Sequence, residues 1–216
     1  MKKWQKKLLT VSAVLVAGVS AAACATSSST SSTEASKKAT KKTKKSSKKT
    51  TSKKNSKVLV VYFSGTGNTR RVAKEIAKQT KATTFEITPK DPYTSNDLDW
   101  TSESSRVVQE YEHPSKRNIK LTTTKVPKWS KYKTVFFGYP LWWQNAAWPV
   151  NNFVKANSFK GKTVIPFCTS TSSSIDQSVR NLKKMNNTGK WQSGHRFSES
   201  YSKTSVDNWV KSLNVK

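Results

Sequence analysis

The stretch that decides the fold is VLVVYFSGTGNTRRVAKEIA, residues 58–77. It begins with six apolar residues, 58–63, whose β-branched and aromatic side chains are typical of a buried strand in a parallel sheet. After Thr69 the apolar residues recur at helical spacing, so we predict a helix over 69–80. The strand, the short polar loop at 64–69 and the helix would aim backbone N–H groups at one point, which favours a bound anion, usually phosphate.

Two common phosphate loops do not fit this segment. A P-loop ends in Gly-Lys-Ser/Thr, whereas this loop ends in Asn68, Thr69 and Arg70. A Rossmann fingerprint needs a third glycine where Arg70 stands. A plainer interpretation stays open at this point, in which the glycines form a turn and Asn68 or Thr69 caps the helix.

The remainder of the domain alternates strands and helices, which predicts an α/β fold. We expect a doubly wound, five-stranded parallel sheet of order 2-1-3-4-5 with helices on both faces. The predicted strands are 58–63, 82–88, 133–139, 163–168 and a short one around 191–197. The predicted helices are 69–80, a weak one over 102–112, one with Pro149 in its first turn, one that a capping box at 174–177 opens, and one that starts at 204–207. Pro166 in the fourth strand predicts a bulge or local kink. Such a sheet binds ligands at its carboxyl edge where the winding reverses, so the loops after strands 1 and 3 should meet.

The loop after strand 3 carries two adjacent tryptophans, Trp142 and Trp143, within the sequence YPLWWQNAAWP. Tryptophan offers a large flat face and one N–H, which suits a flat heteroaromatic ring. The alternative is that one of them packs into the core while the other covers it. Phosphate on the first loop and a flat ring on the second together describe flavin mononucleotide (FMN).

Four motifs support a family resemblance. They are TGNT at 66–69, DLDW at 97–100, PLWW at 140–143 and GKTVIPF at 161–167. With them the chain resembles the flavodoxin-like FMN-binding family over nearly all of 57–216. The resemblance implies FMN as the cofactor. It assigns the phosphate to Ser64, Thr66, Gly67, Asn68 and Thr69, and the isoalloxazine ring to Pro140, Leu141, Trp142 and Trp143.

The chain departs from the family pattern after the fourth strand. Relatives often read Ser-Gly-Gly-Ser there, whereas residues 169–174 read TSTSSS. Because glycines let the backbone approach a ligand closely, their loss predicts a weaker contact on this side of the ring. By resemblance, Ser170 and Ser172 would make that contact. Asp99 and Trp100 would either cap the site or only fasten the segment between strands 2 and 3.

The first 23 residues have the pattern of a secretory signal peptide. Four lysines in 1–7 precede an apolar stretch, 8–23, which is short for a membrane core of ~30 Å. Small residues before Cys24 resemble a bacterial lipobox, although Ala21 stands where leucine is usual. We therefore expect cleavage before Cys24, a lipid on its sulfur, and an extracytoplasmic protein anchored in the cell membrane. Ordinary cleavage and a retained anchor are the alternatives.

Residues 24–56 are rich in Ser, Thr and Lys and cannot bury a core, which predicts a disordered tether. Of the 21 residues from 37 to 57, 11 are lysine, so the tether would adhere to an anionic membrane or cell wall, unless it is only a spacer. Residues 58–216 hold 25 Lys/Arg and 11 Asp/Glu, a balance of +14. No nucleic-acid motif accompanies this charge, and an exported protein rarely meets a genome, so nucleic acid is not an expected partner.

These features predict a membrane-anchored extracytoplasmic FMN protein that transfers electrons to or from an unknown redox partner. One alternative is an FMN-dependent oxidoreductase that reduces a small acceptor, such as a quinone, with NAD(P)H. Another is a flavin-free binding module on a flavodoxin scaffold. The sequence has no Cys/His metal spacing and no compelling catalytic acid or base, which favours the carrier. Cys168 is predicted to be a buried packing thiol.

Overall fold

The computed structural model describes residues 57–215 of the 216-residue chain. The predicted signal peptide (1–23), Cys24 and the predicted tether (24–56) lie outside the described residues. Within 57–215, no helix combines the length and the hydropathy of a membrane span.

A parallel sheet with order β2-β1-β3-β5-β6 forms the centre of the domain. The strands are β1 (Val58–Tyr62), β2 (Thr83–Glu86), β3 (Thr134–Trp142), β4 (Asn145–Ala146), β5 (Thr163–Thr169), β6 (Lys190–Trp191) and β7 (His195–Phe197). Strand β7 is also parallel to β5, and β4 is antiparallel to β3. With β5 as the fourth long strand, this is the predicted doubly wound order, which is confirmed.

Among residues 57–215, five α-helices flank the sheet. They are α1 (Asn68–Thr80), α2 (Arg106–Glu112), α3 (Pro149–Ala156), α4 (Asp176–Met185) and α5 (Lys203–Ser212). Strand β1 is buried on both sides: Leu59 and Val61 join the core under α3 and α4, whereas Val60 and Tyr62 join the core under α1 and α5. Burial on both faces explains why this strand is a continuous apolar run rather than an alternating one.

The fifth strand differs from the prediction of one strand around 191–197. Strand β6 pairs with the start of β5 and β7 with its end, so the edge is interrupted between them. At the interruption a Cβ on Gly194 would lie 2.5 Å from Cδ1 of Ile175, so this glycine admits the Ile175 side chain. Strand β5 passes through Pro166 in unbroken register with β3, so the predicted bulge is absent. The missing N–H of Pro166 falls where the neighbouring edge is interrupted.

Two helix starts also differ from the sequence prediction. Helix α2 begins at Arg106 rather than near Ser102, because the Ser105 hydroxyl caps it by accepting from the Val108 N–H. Helix α4 has no side-chain cap, so the predicted capping box is wrong. The Ser174 hydroxyl instead donates to the Asp176 carboxylate at 2.7 Å.

Candidate functional site

A cavity of about 360 Å³ opens at the carboxyl edge of the sheet. Three of the segments that line it are those singled out from the sequence: the loop after β1, the end of β3, and the loop after β5. A fourth, the segment between β2 and α2, contributes Leu98 and Trp100. The structure therefore brings the predicted segments together. Of the predicted site residues, those that line the cavity are Thr66, Asn68, Pro140, Leu141, Trp142, Trp143, Ser170 and Ser172.

The side chain of Ser64 shapes the loop after β1. The buried Ser64 hydroxyl accepts from the backbone N–H of Gly67 at 3.1 Å and of Arg70 at 3.2 Å, so it shapes the loop and does not line the cavity. Gly67 has φ 95°, a left-handed conformation that glycine adopts without strain. Within 57–215, no protein acceptor is found for the backbone N–H groups of Gly65, Thr66, Asn68 and Thr69. Unpaired N–H groups at the N-terminus of a helix favour an anion, and we call this set of donors the cradle.

Thr69 has a different position from the one expected for a phosphate-binding side chain. Its hydroxyl is buried and lies 2.8 Å from the hydroxyl of Thr169, at the end of β5. The Thr69 side chain thus links the end of the loop after β1 to the end of β5, and only the backbone N–H of Thr69 remains for an anion.

The two arginines of α1 do not enter the cavity. Arg70 pairs with Glu86 at 2.5 Å, and the Tyr62 hydroxyl donates to the same carboxylate. Burial, and then the charge of Glu86, raise the pKa of Tyr62 to about 12, so its hydroxyl remains a donor. Arg71 donates to Oδ1 of Asn68 at 2.5 Å and so orients that amide at the mouth of the cradle.

The predicted loop at 141–147 is a β-hairpin. Strand β3 continues to Trp142, which pairs with Asn145 of β4 across a two-residue turn. Both turn residues, Trp143 (φ 45°) and Gln144 (φ 62°), are left-handed. Turns of this kind normally use Asn-Gly, because other residues lose roughly 1–2 kcal/mol each in that conformation. Strain of this kind tends to collect at functional sites.

The two tryptophans make different contacts. Trp142 packs edge-on against Phe63, Tyr93 and Trp148 with ring centroids 5.2–6.0 Å apart, and also lines the cavity. Trp143 lines the cavity and stacks on Tyr111 of α2, with centroids 4.3 Å apart and an interplanar angle of 11°. Trp142 therefore packs partly in the core, as the alternative interpretation predicted for one of the two tryptophans. The ring of Trp143 lies outside the core.

The serine-rich loop after β5 is fixed by Arg196 of β7. The Arg196 guanidinium donates to the carbonyl oxygens of Ser170 (2.9 Å) and Thr171 (3.2 Å), and the Ser170 hydroxyl accepts from the Ser173 N–H at 3.1 Å. Neither Arg196 nor Tyr111 belongs to a sequence motif that predicts the site. Tyr111 was visible only as part of the weak apolar face of α2, and nothing in the sequence marks Arg196.

The segment between β2 and α2 closes one side of the cavity. Trp100 lines it although 72% of the residue is exposed, whereas the Asp99 carboxylate accepts from the N–H and hydroxyl of Thr101. Of this pair, Trp100 lines the cavity and Asp99 shapes the turn. These hydrogen bonds lower the pKa of Asp99.

The positive balance of the domain is not repeated in the cavity wall. Among the lining residues in the described part of the chain, only Glu199 is charged. Cys168 is buried in the core, and burial raises the pKa of its thiol to about 12, as expected for a packing residue.

A doubly wound parallel sheet, with unpaired backbone N–H groups in a loop at its carboxyl edge, is typical of flavodoxin-like proteins. The sequence profile described as flavodoxin matches residues 57–213, so the chain belongs to the flavodoxin family.

Solved structures agree with this assignment. A protein from Bacteroides eggerthii, provisionally named a flavoprotein, is 38% identical; the match covers 75% of this chain and 100% of that one, with a TM-score of 0.66. One from Bacteroides uniformis, named in the same way, is 39% identical over 73% of this chain and 99% of that one, also with a TM-score of 0.66. A Lactobacillus acidophilus flavoprotein solved with FMN is 18% identical over 70% of this chain and 97% of that one, and its TM-score of 0.52 shows a shared fold. No curated protein matches the chain.

Proposed function

We propose that this protein binds FMN in the cavity at the carboxyl edge of the sheet and transfers electrons outside the cytoplasm, anchored to the cell membrane by a lipid on Cys24. The observation that carries the FMN assignment is a set of four unpaired backbone N–H groups, those of Gly65, Thr66, Asn68 and Thr69. The first three of these residues line the same cavity as Trp143. An anion cradle and an aromatic wall on one cavity match the two ends of this cofactor.

The residues present fit such a ligand. The free N–H groups of the first loop would hold the phosphate, with the Thr66 hydroxyl and the Asn68 amide at the mouth of the cradle. Pro140, Leu141 and the two tryptophans would lie along the ring, and Ser170 and Ser172 would face it from the loop after β5. When bound, FMN supplies the redox chemistry, and the chain supplies binding, orientation and exclusion of water. The Lactobacillus acidophilus protein, which was solved with FMN, supports this choice by its shared fold.

The lining favours an electron carrier over an enzyme that protonates a substrate. Glu199 is the only ionisable side chain that lines the cavity within 57–215, and it is exposed. The electron donor and acceptor would then be protein partners that approach this edge.

The test of cofactor binding is a titration of the purified full chain, in mild detergent, with FMN while flavin fluorescence is recorded. We expect saturable quenching that weakens in Thr66→Ala and in Trp143→Ala. The matched control is Thr204→Ala, an exposed threonine of α5 that does not line the cavity, which should bind like the wild type. Absence of saturable quenching in the wild type would remove both the carrier and the oxidoreductase and leave a flavin-free module.

Steady-state assays separate the two redox functions. The FMN-loaded chain should not consume NADH or NADPH with a quinone as acceptor, but should accept electrons from a strong one-electron reductant. Catalytic consumption of either nicotinamide would favour the oxidoreductase.

The anchor is tested separately. Cells given labelled palmitate should label the wild-type chain, and Cys24→Ala should abolish the label and release the protein from membranes. A membrane-bound, unlabelled wild type would contradict lipidation.

A further inference from the structure

The backbone of the left-handed hairpin turn at Trp143 and Gln144 accepts a hydrogen bond from the first residue of β4, and that residue is itself hydrogen-bonded to α4. Asn145 donates from Nδ2 to the carbonyl oxygen of Trp143 at 2.9 Å. Asn181 of α4 donates from its Nδ2 to Oδ1 of Asn145 at 2.8 Å. The Asn181 Oδ1 in turn accepts from Nε2 of Gln177, one turn earlier on α4, at 2.9 Å. A chain of amides thus runs from α4 to the backbone of Trp143.

The direction of each hydrogen bond follows from its neighbour. The Asn145 side chain must present its Nδ2 to the Trp143 carbonyl, which leaves Oδ1 for a donor. Asn181 supplies that donor, and Gln177 then fixes which end of the Asn181 amide faces the hairpin. Removing Asn181 would leave the orientation of the Asn145 amide undetermined.

The indole ring of Trp143 is held from a second side by Tyr111. The two rings stack at 4.3 Å, so Tyr111 covers one face of the indole, and Trp143 also lines the cavity. Tyr111 is itself fixed, because Arg117 donates to its carbonyl oxygen and also lies 4.3 Å from the Trp148 ring centroid. The turn and the ring of Trp143 are therefore constrained by α4 and α2 respectively.

We propose that Asn145 and Asn181 are positioning residues for the flavin ring: they hold the strained turn so that Trp143, backed by Tyr111, presents one indole face to the bound isoalloxazine. This inference rests on the proposed FMN site. It adds to that site two residues, one of them on α4, that fix the position of the ring-binding Trp143. Neither asparagine contacts the ring in this role; both act through the backbone of Trp143.

The primary variant is Asn181→Ala, measured in the full chain with FMN as the probe. We expect FMN affinity to fall about three- to tenfold, as for loss of a hydrogen bond that orients a binding group. The visible absorption bands of bound flavin and the midpoint potential should change as well, because the indole no longer sits at a fixed angle to the ring.

The matched control is Asn186→Ala, which lies just after α4. Its Nδ2 donates to the carbonyl oxygens of Val154 (2.7 Å) and Asn157 (2.8 Å), so the variant should lower thermal stability. It makes no contact with the hairpin, and FMN affinity, spectrum and potential should equal those of the wild type. If Asn181→Ala lowers stability but leaves these three properties unchanged, the positioning role is overturned.

A rescue variant tests the physical cause. Glycine adopts the left-handed conformation without strain, so Gln144→Gly should let the turn form without help from α4. The loss of affinity caused by Asn181→Ala should then be much smaller in the Gln144→Gly background. Equal losses in both backgrounds would contradict the proposal that Asn181 acts through the turn.

A measurement on the flavin-free chain separates this inference from the proposed function. The indole N–H resonance of Trp143, assigned with Trp143→Phe, should shift or broaden in Asn181→Ala and stay in place in Asn186→Ala. If it does so while the wild type fails to bind FMN, the FMN assignment fails and the support of the turn stands. If the wild type binds FMN and Asn181→Ala leaves this resonance and the affinity unchanged, the FMN assignment stands and the positioning role fails.

Discussion

The hydroxyl of Thr69 lies 2.8 Å from the hydroxyl of Thr169, and both residues are buried. This contact joins the first turn of α1 to the last residue of β5, 100 positions apart in the chain. The cradle loop follows β1 and leads into α1, and the serine-rich loop follows β5. Their relative position is therefore fixed by one buried pair of side chains before any ligand is bound.

Replacing either threonine of this pair by valine should lower the free energy of unfolding by about 1–3 kcal/mol, because one buried hydroxyl is then left without a partner. The double variant Thr69→Val/Thr169→Val should lose less than the sum of the two single losses, since both hydroxyls are gone. Urea unfolding of the four proteins measures this coupling. Strict additivity would show that the contact contributes nothing.

Gly67→Ala should lower the free energy of unfolding by about 1–2 kcal/mol, because the φ of 95° is left-handed although space for a Cβ is free. Gly161→Ala is the matched control: its φ of 73° is also left-handed, nothing lies within 4 Å of its Cβ position, and it lies outside the cradle loop at 64–69. The two variants should lose similar stability, and only Gly67→Ala should weaken FMN binding. Equal FMN affinity in both would argue against the cradle.

Cys168 should be unreactive in the folded protein. Because burial raises the pKa of its thiol to about 12, almost no thiolate exists at pH 8, and the side chain is fully covered. In a Cys24→Ser chain, a chromogenic disulfide reagent at pH 8 should detect no thiol before denaturation and one afterwards. Rapid labelling of the native protein would show that the core around β5 opens.

Folding stability should decrease in mild acid because of His195. Burial, and then the charge of Arg196, lower the pKa of His195 below its ordinary value of 6.5. The unfolded chain therefore binds a proton more readily, so the stabilisation is complete above about pH 6.5 and is lost as the pH falls towards the folded pKa.

His195→Phe removes this titration and can keep the stack on Trp209, whose ring centroid lies 5.1 Å away. Its melting temperature should fall less than that of the wild type between pH 7.5 and pH 5.5. Parallel pH profiles for the two proteins would exclude His195 as a source of the acid sensitivity.

The sequence was sufficient to predict the segments of the site, because each lies in a local pattern. An apolar run followed by small polar residues at 64–69 locates the cradle, and the end of the next apolar run locates the tryptophans. The strand order follows from the alternation of elements and the handedness of their connections. These are short-range signals combined with general rules of topology.

The hairpin and its supports could not be predicted in this way. Trp143 and Gln144 lack the Asn-Gly signature of a two-residue turn, so the segment resembles a loop. The support from α4 comes from Asn181, which is 36 positions beyond Asn145, and such a contact leaves no periodic trace in the sequence. The break in the fifth strand likewise depends on Ile175 packing against Gly194.

The amide chain from α4 to the hairpin also bears on the thermodynamics of cofactor uptake. All of its members belong to the protein, so the aromatic wall is ordered when the chain folds and not when a ligand arrives. The conformational entropy lost in ordering Trp143 is then part of the free energy of folding, and little of it is subtracted from the free energy of association. Under the proposed function, FMN would therefore meet a receptor that is already assembled.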